Sequence, residues 1–167
     1  SDELWSKSSV SAKYSSKKIE RQTSPTEFDV YQLNFDLLKR KLMNTPKRKG
    51  IIAKNNNIIS FPDGKGKLEN YYVFEASIME EALQEQYPNI RTYIGKSVNN
   101  SSSVNRFSIT PLGLNALILN NPEGTIYIDP YTSDNQTYLI YNKKSLPESE
   151  PFDCGFDELN STIQESK

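Results

Sequence analysis

RFSITPLGLNALILNNPEGTIYIDPYTSDNQTYLIY, residues 106–141, decides the fold class. Four short runs, Arg106–Thr110, Leu114–Leu119, Thr125–Asp129 and Tyr138–Tyr141, are rich in β-branched and aromatic residues. Between them stand Pro111-Leu112-Gly113, Asn121-Pro122-Glu123-Gly124 and Tyr131–Gln136, where Gly, Pro, Asn and Asp supply the backbone conformations of tight turns. The connections are too short to house a crossover helix, so the strands are expected to run antiparallel.

Upstream, Ile90–Ile94 reads as a further strand, followed by the polar loop 97–103. Leu68–Glu75 alternates through Tyr71 and Val73, and Ile51–Ala53 with Ile58–Phe61 flanks three asparagines as in a hairpin. Pro62-Asp63-Gly64-Lys65-Gly66 is a turn. Tyr31, Leu33 and Phe35 alternate with polar residues, and Asp36 stands where a helix cap belongs before Leu37, Leu38 and Leu42. The clearest helix is Ser77–Gln86, with Ser77 and Glu80 as a capping box and Pro88 beyond its end. The expectation is an α+β domain: a mostly antiparallel sheet with one or two short helices packed on it. Long helices do not alternate with the strands, which argues against a dinucleotide-binding fold.

Residues 1–26 are polar and read as an arm, with Trp5 as its anchor against the body or a partner; 27–142 form the globular part. Residues 143–167 form an acidic C-terminal segment whose apolar focus is Phe152-Asp153-Cys154-Gly155-Phe156. Leu159 and Ile163 there suit one face of a short helix. Residues 1–67 hold 14 Lys/Arg against 7 Asp/Glu, and residues 68–167 hold 6 against 14, so the net charge of −1 hides two unlike halves. That total gives no reason to expect a nucleic-acid partner, and the basic triplets 39–41 and 47–49 are too few to make a broad basic face. No apolar run approaches the roughly 18–20 residues that span a bilayer, so no membrane partner is expected.

The chain has no histidine. Imidazole is the usual general base and a common metal ligand, so Ser-His-Asp, Cys-His and HExxH sites cannot be assembled from these residues. One cysteine allows neither an intrachain disulfide nor a four-cysteine metal site. The chain is expected not to be an enzyme and to hold no cofactor of its own.

Cys154 is the sharpest chemical feature. A thiolate ligates zinc tightly, and Gly155 lets the backbone approach a cleft closely. Acidic neighbours raise a thiol's pKa, and a bound cation reverses that. The competing reading is a partly buried free thiol. Asp153 is the second choice of ligand, and Asp157 is more simply surface. Phe152 and Phe156 either anchor the segment in a groove or close the core. Glu75, Glu80, Glu81 and Asp129 would make acid–base pairs only if the fold converged them. Arg91, Arg106 and Tyr93 read as strand-surface or salt-bridge residues, and Gly64–Lys67 reads as a turn rather than a phosphate loop. Sequons begin at Asn99, Asn100, Asn135 and Asn160, as frequent Asn and Ser produce by chance.

FEASIMEEALQEQYPNIRTYIGKS (74–97), RFSITPLGLNALIL (106–119) and TIYIDPYTSDNQTYLIY (125–141) together resemble the N-terminal propeptide region of secreted reprolysin-like (metzincin) zinc metallopeptidases of Bacteroidetes-type bacteria. Trp5, Arg21–Pro25, Tyr31–Leu33 and the Pro62-Asp63-Gly64 turn agree in kind, and the similarity covers roughly residues 20–142. The resemblance implies a secreted or cell-surface protein of a Gram-negative bacterium. It implies a zymogen in which a following catalytic domain carries the zinc, while this chain blocks the active-site cleft and assists folding. Cys154-Gly155 then matches the cysteine-switch dipeptide of related prosegments, with the Cys154 thiolate on the partner's zinc; the usual flanking residues are only partly present, which leaves Asp153 open as ligand. From another class stands a carbohydrate- or surface-binding accessory domain of a secreted protein, using exposed tyrosines among the ten present.

Overall fold

The computed structural model describes residues 3–8, 19, 24–47, 57–76, 81–86, 88–100 and 102–147. Within them nine strands form one sheet: β1 (Trp5–Ser8), β2 (Asp29–Leu33), β3 (Ile58–Pro62), β4 (Leu68–Glu75), β5 (Arg91–Ser97), β6 (Val104–Thr110), β7 (Gly113–Leu119), β8 (Ile126–Pro130) and β9 (Thr137–Asn142). Each of these strand pairings is antiparallel, and the spatial order is β1-β2-β9-β8-β7-β6-β5-β4-β3. Seven strands, β3 to β9, follow one another as a meander. The β1–β2 pair then adds to the free edge of β9.

The sheet curls until its two ends meet. Trp5 on β1 donates its indole N–H to the Ser60 carbonyl of β3 at 2.7 Å, so the barrel is nearly closed without a hydrogen-bonded ladder across the seam. Closure removes most of the exposed strand edge that an open sheet presents. Trp5 is 1% exposed; its ring meets Tyr31 and Tyr138 edge-on and Phe61 at a tilt. The anchoring role expected of Trp5 is thus performed by a strand inside the expected arm.

Alternation sorts the side chains. Phe61, Tyr71, Phe107, Leu114, Ile128 and Tyr138 point into the barrel, and Phe61 packs on Phe107 with ring centroids 4.9 Å apart. Helix α1 (Phe35–Leu42) contributes Leu38 and Leu42 to the same core. Its cap is Asn34, not the expected Asp36: the Asn34 side chain accepts from the Leu37 N–H at 3.1 Å, and Asp36 lies in the first turn. A residue two positions earlier satisfies the free N–H groups, so Phe35 becomes helical rather than the last residue of the strand. Helix α2 covers Glu81–Gln86; Ser77–Glu80 of the expected helix lie outside the described residues, as do 51–56 of the expected hairpin. Ile58–Pro62 pairs with β4 across the Asp63–Lys67 turn, in which the Asp63 carboxylate accepts from the Lys65 and Lys67 N–H groups.

Gly113 is required by its geometry. Its φ is +113°, and a Cβ there would stand 2.8 Å from the Tyr138 hydroxyl, which accepts from the Leu114 N–H. Burial pushes the Tyr71 and Tyr138 hydroxyls up to about 12, desolvation of the phenolate being the main cause in both.

Candidate functional site

The outward positions of β4–β9 are not a plain solvent face. Cross-strand partners line up as Phe74, Ile94, Arg106, Leu117, Tyr127 and Tyr141, one row across six adjacent strands. Beside it runs a polar row, with Thr92 opposite Ser108 and Ser108 opposite Asn115. Asp129 faces the same cleft. Directly opposed residues on neighbouring strands lie about 4.5–5.5 Å apart, so each row is a continuous strip of side chains. Between them lies a cleft of about 640 Å³, floored by Ile94, Ala116 and Leu117 and reaching Ala76 and Lys47 at one end.

Local bonds fix this geometry. Backbone N–H of Glu75 donates to the Pro46 carbonyl at 2.8 Å, which brings Lys47 to the cleft. Thr92 donates its hydroxyl to the Ala76 carbonyl, while the Ala76 N–H donates to the Thr92 carbonyl. Tyr127 stacks on Tyr141, with centroids 5.3 Å apart and planes at 18°. The Tyr141 hydroxyl donates to Asp129 at 2.5 Å. Arg91 donates to Glu75 at 2.8 Å. Both carboxylates near the cleft are therefore engaged. Among the described residues neither Lys47 nor Arg106 has a carboxylate partner.

Of the carboxylates considered for acid–base work, Glu75 and Asp129 do reach one cleft, Glu80 lies outside the described residues, and nothing is described of the Glu81 side chain. Arg91 makes the salt bridge expected of it. Tyr93 is a core residue, stacked on Phe107 at 5.1 Å, and burial raises its pKa. Lys65, in the turn read against a phosphate loop, pairs with Glu123 at 2.7 Å. Phe152, Asp153, Cys154, Gly155 and Phe156 lie outside the described residues. Within the described residues no three His, Cys, Asp or Glu side chains gather where they could hold a metal ion, and no helix is long and apolar enough to cross a membrane.

Sequence reasoning treated Arg106 as surface and passed over Tyr127, Asn115 and Leu117. A signal was available: TYLIY (137–141) and LNALIL (114–119) carry apolar residues at outward as well as inward positions, which marks a sheet whose second face is also covered in part. Leu139 and Tyr141 are indeed buried on that face, where Leu146 and Tyr127 pack against them. No family model, no curated protein and no solved structure matches the chain.

Proposed function

We propose that the chain is a non-catalytic accessory domain of a secreted protein, and that it binds carbohydrate or a polymer surface through the outer-face cleft. The supporting observation is an aromatic wall, Tyr127 backed by the buried Tyr141, beside Asn115, Ser108, Thr92 and Arg106 in one cleft. Few, convergent polar groups beside an apolar floor are the usual make-up of a small-ligand site. A pyranose presents C–H groups to a ring and hydroxyls to amide, guanidinium and hydroxyl partners, and this cleft offers both. The cleft is tested by titrating the chain with a panel of polysaccharides. Saturable binding is expected, weakened about two- to tenfold by Tyr127→Ala, which corresponds to the roughly 0.5–1.5 kcal/mol of an aromatic contact. Binding to none of the panel, or equal binding by the variant, rejects this role for the cleft.

A second reading is favoured by one observation. The stretches that resemble metallopeptidase prosegments supply β5, β7, β8 and most of β6 and β9, a contiguous hydrogen-bonded block that carries most of the cleft lining. On this reading the barrel covers a cognate zinc metalloprotease and the Cys154 thiolate takes the water position on its zinc. A ligand there prevents water activation, and linkage in one chain raises the effective concentration until cleavage. The test is inhibition of the mature enzyme by added chain. Suppression that Cys154→Ala weakens strongly supports the switch; full suppression by the alanine variant leaves the covering role without the thiolate.

A further inference from the structure

We propose that the barrel interior holds a buried water-binding site, formed by Asn105, Tyr71 and Ser103 at the end away from α1. The site lies on the inner face of the sheet, across the wall from the outer-face cleft, and depends on neither reading of that cleft.

Its basis is a set of buried polar atoms that the chain leaves unbonded. Tyr71 and Asn105 are 0% exposed and Ser103 is 1% exposed. Among the described residues nothing bonds the Tyr71 hydroxyl, the Ser103 hydroxyl, or the Nδ2 and Oδ1 of Asn105. Buried polar side chains nearly always have partners, because removing them from water without replacement costs free energy. The Asn105 amide decides what kind of partner is needed: a donor for Oδ1 and acceptors for Nδ2. A bond between the Tyr71 and Ser103 hydroxyls would leave that amide unserved. A cation cannot serve Nδ2 and an anion cannot serve Oδ1, whereas water both donates and accepts.

The three side chains converge. Asn105 alternates with Phe107 on β6 and faces inward with it. Its partner on β5 is Gly95, which brings no side chain. Tyr71, paired with Ser97, leans over that glycine: a Cβ on Gly95 would stand 3.0 Å from the Tyr71 Cβ and 3.6 Å from that of Asn105. Tyr71 and Asn105 therefore start on either side of one bare backbone position. The Ser103 carbonyl accepts from the Ser97 N–H at 3.1 Å, which continues the β5–β6 pairing and puts Ser103 on the face of Asn105. Residues two apart on a strand are about 6.6 Å apart. Two hydrogen bonds of about 2.9 Å in series through one water bridge a separation of that order. The Ser103 hydroxyl also lies near Tyr71: burial raises the Tyr71 pKa, and this hydroxyl works against the rise.

The fold also closes this end. The Ser103 N–H donates to the Asn100 carbonyl at 3.0 Å, and the Val98 N–H to the Asn70 carbonyl at 2.9 Å. The Ser97 hydroxyl accepts from the Asn99 and Asn100 N–H groups and donates to Glu69. These bonds hold the β5–β6 connection across the barrel end, while Leu38 and Leu42 of α1 pack into the core from the other. Ile118, opposite Asn105, and Ile126 beyond it are buried and apolar, so neither can bond the amide. Water held here is cut off from bulk solvent and exchanges only when the connection opens.

Long-lived internal water is counted by magnetic relaxation dispersion of the water nuclei in solutions of the intact chain. Asn105→Leu, which puts an apolar side chain in place of the amide, should remove at least one such water. Tyr71→Phe/Ser103→Ala, which deletes only the two hydroxyls, should lose it or speed its exchange at least tenfold. The second variant removes one atom from each side chain and keeps the test open if Asn105→Leu does not fold. A crystal structure of the wild-type chain should show a solvent peak within about 3.2 Å of the Asn105 amide and of the Tyr71 or Ser103 hydroxyl. Unchanged water counts and exchange in the folded variants, or an Asn105 amide bonded to protein atoms with no peak beside it, overturn the proposal. A peak that bromide replaces, seen by its anomalous scattering, assigns the site to an anion and overturns it as well.

Discussion

Replacing Trp5 with alanine tests the barrel at its seam. The indole is almost wholly buried among Tyr31, Phe61 and Tyr138, and it holds the one side-chain hydrogen bond described between β1 and β3. Truncating a buried Trp to Ala costs about 3–5 kcal/mol. Removing the indole N–H also deprives the Ser60 carbonyl of its partner, and an unsatisfied buried acceptor costs about 1–3 kcal/mol. Ser60 is only half-buried and water can replace the donor, so the lower end applies and the total is about 4–6 kcal/mol. Against a domain stability of about 5–15 kcal/mol, that is about a quarter of the total or more. Trp5→Phe keeps most of the ring area and should lose only about 1–2 kcal/mol, chiefly the hydrogen bond. The assay is urea unfolding followed by far-ultraviolet circular dichroism, because Trp5 is the only tryptophan and its fluorescence vanishes with it. The midpoint should fall with little change in slope if β1 is an integral strand. A loss below 1 kcal/mol for the alanine variant would refute the seam, and a markedly smaller slope would mean that β1 detaches in the folded state.

Gly113→Ala should destabilise by about 1–3 kcal/mol, since the residue must hold φ near +113° and the new methyl meets the Tyr138 hydroxyl; thermal melts measure it. Tyr138→Phe removes that hydroxyl and should relieve part of the loss in the double variant, which a double-mutant cycle reads directly. Alkali should unfold the barrel in a defined window. The Tyr71 and Tyr138 pKa values are raised in the fold to about 12 from 10.0, so their contribution is complete below pH 10 and disappears as pH rises through 12. Two units each correspond to about 2.7 kcal/mol per group, and a stability–pH curve flat to pH 12 would contradict the burial of these phenols.

Local sequence carried the meander well because its turns are chemically explicit. Gly113 and Gly124 take positive φ, Asn121 and Asp134 accept from nearby backbone N–H groups, and the strands between them alternate. Strand β1 was harder to see. WSKS offers one apolar side chain in four, and its membership of the sheet depends on partners more than 20 residues away in β2 and 55 away at Ser60. Closure was illegible for a different reason: a period of two tells which face a residue takes and nothing about curvature. The cleft was partly legible. Glu75, Asp129 and Arg106 were each noted, yet their assembly depends on the register of β4–β8, which one-residue slips would undo. The α1 cap shifted by two positions because Asn34 and Asp36 are both competent acceptors, and the burial of Leu38 and Leu42 in the core sets the frame.

The position of β2 beside β9 sets a timetable for synthesis. Val30 pairs with Leu139 and Tyr31 with Tyr138, so the β1–β2 pair cannot join the sheet until β9 has been made. During translation the β3–β8 meander can form hairpin by hairpin while Trp5 and its neighbours wait, their aromatic rings uncovered. Pairings this remote in sequence place such domains at the slow end, with folding over milliseconds to seconds on the order seen for β-barrels. A helper that shields β1 and β2 until β9 emerges should therefore raise the yield of folded domain more than one acting afterwards.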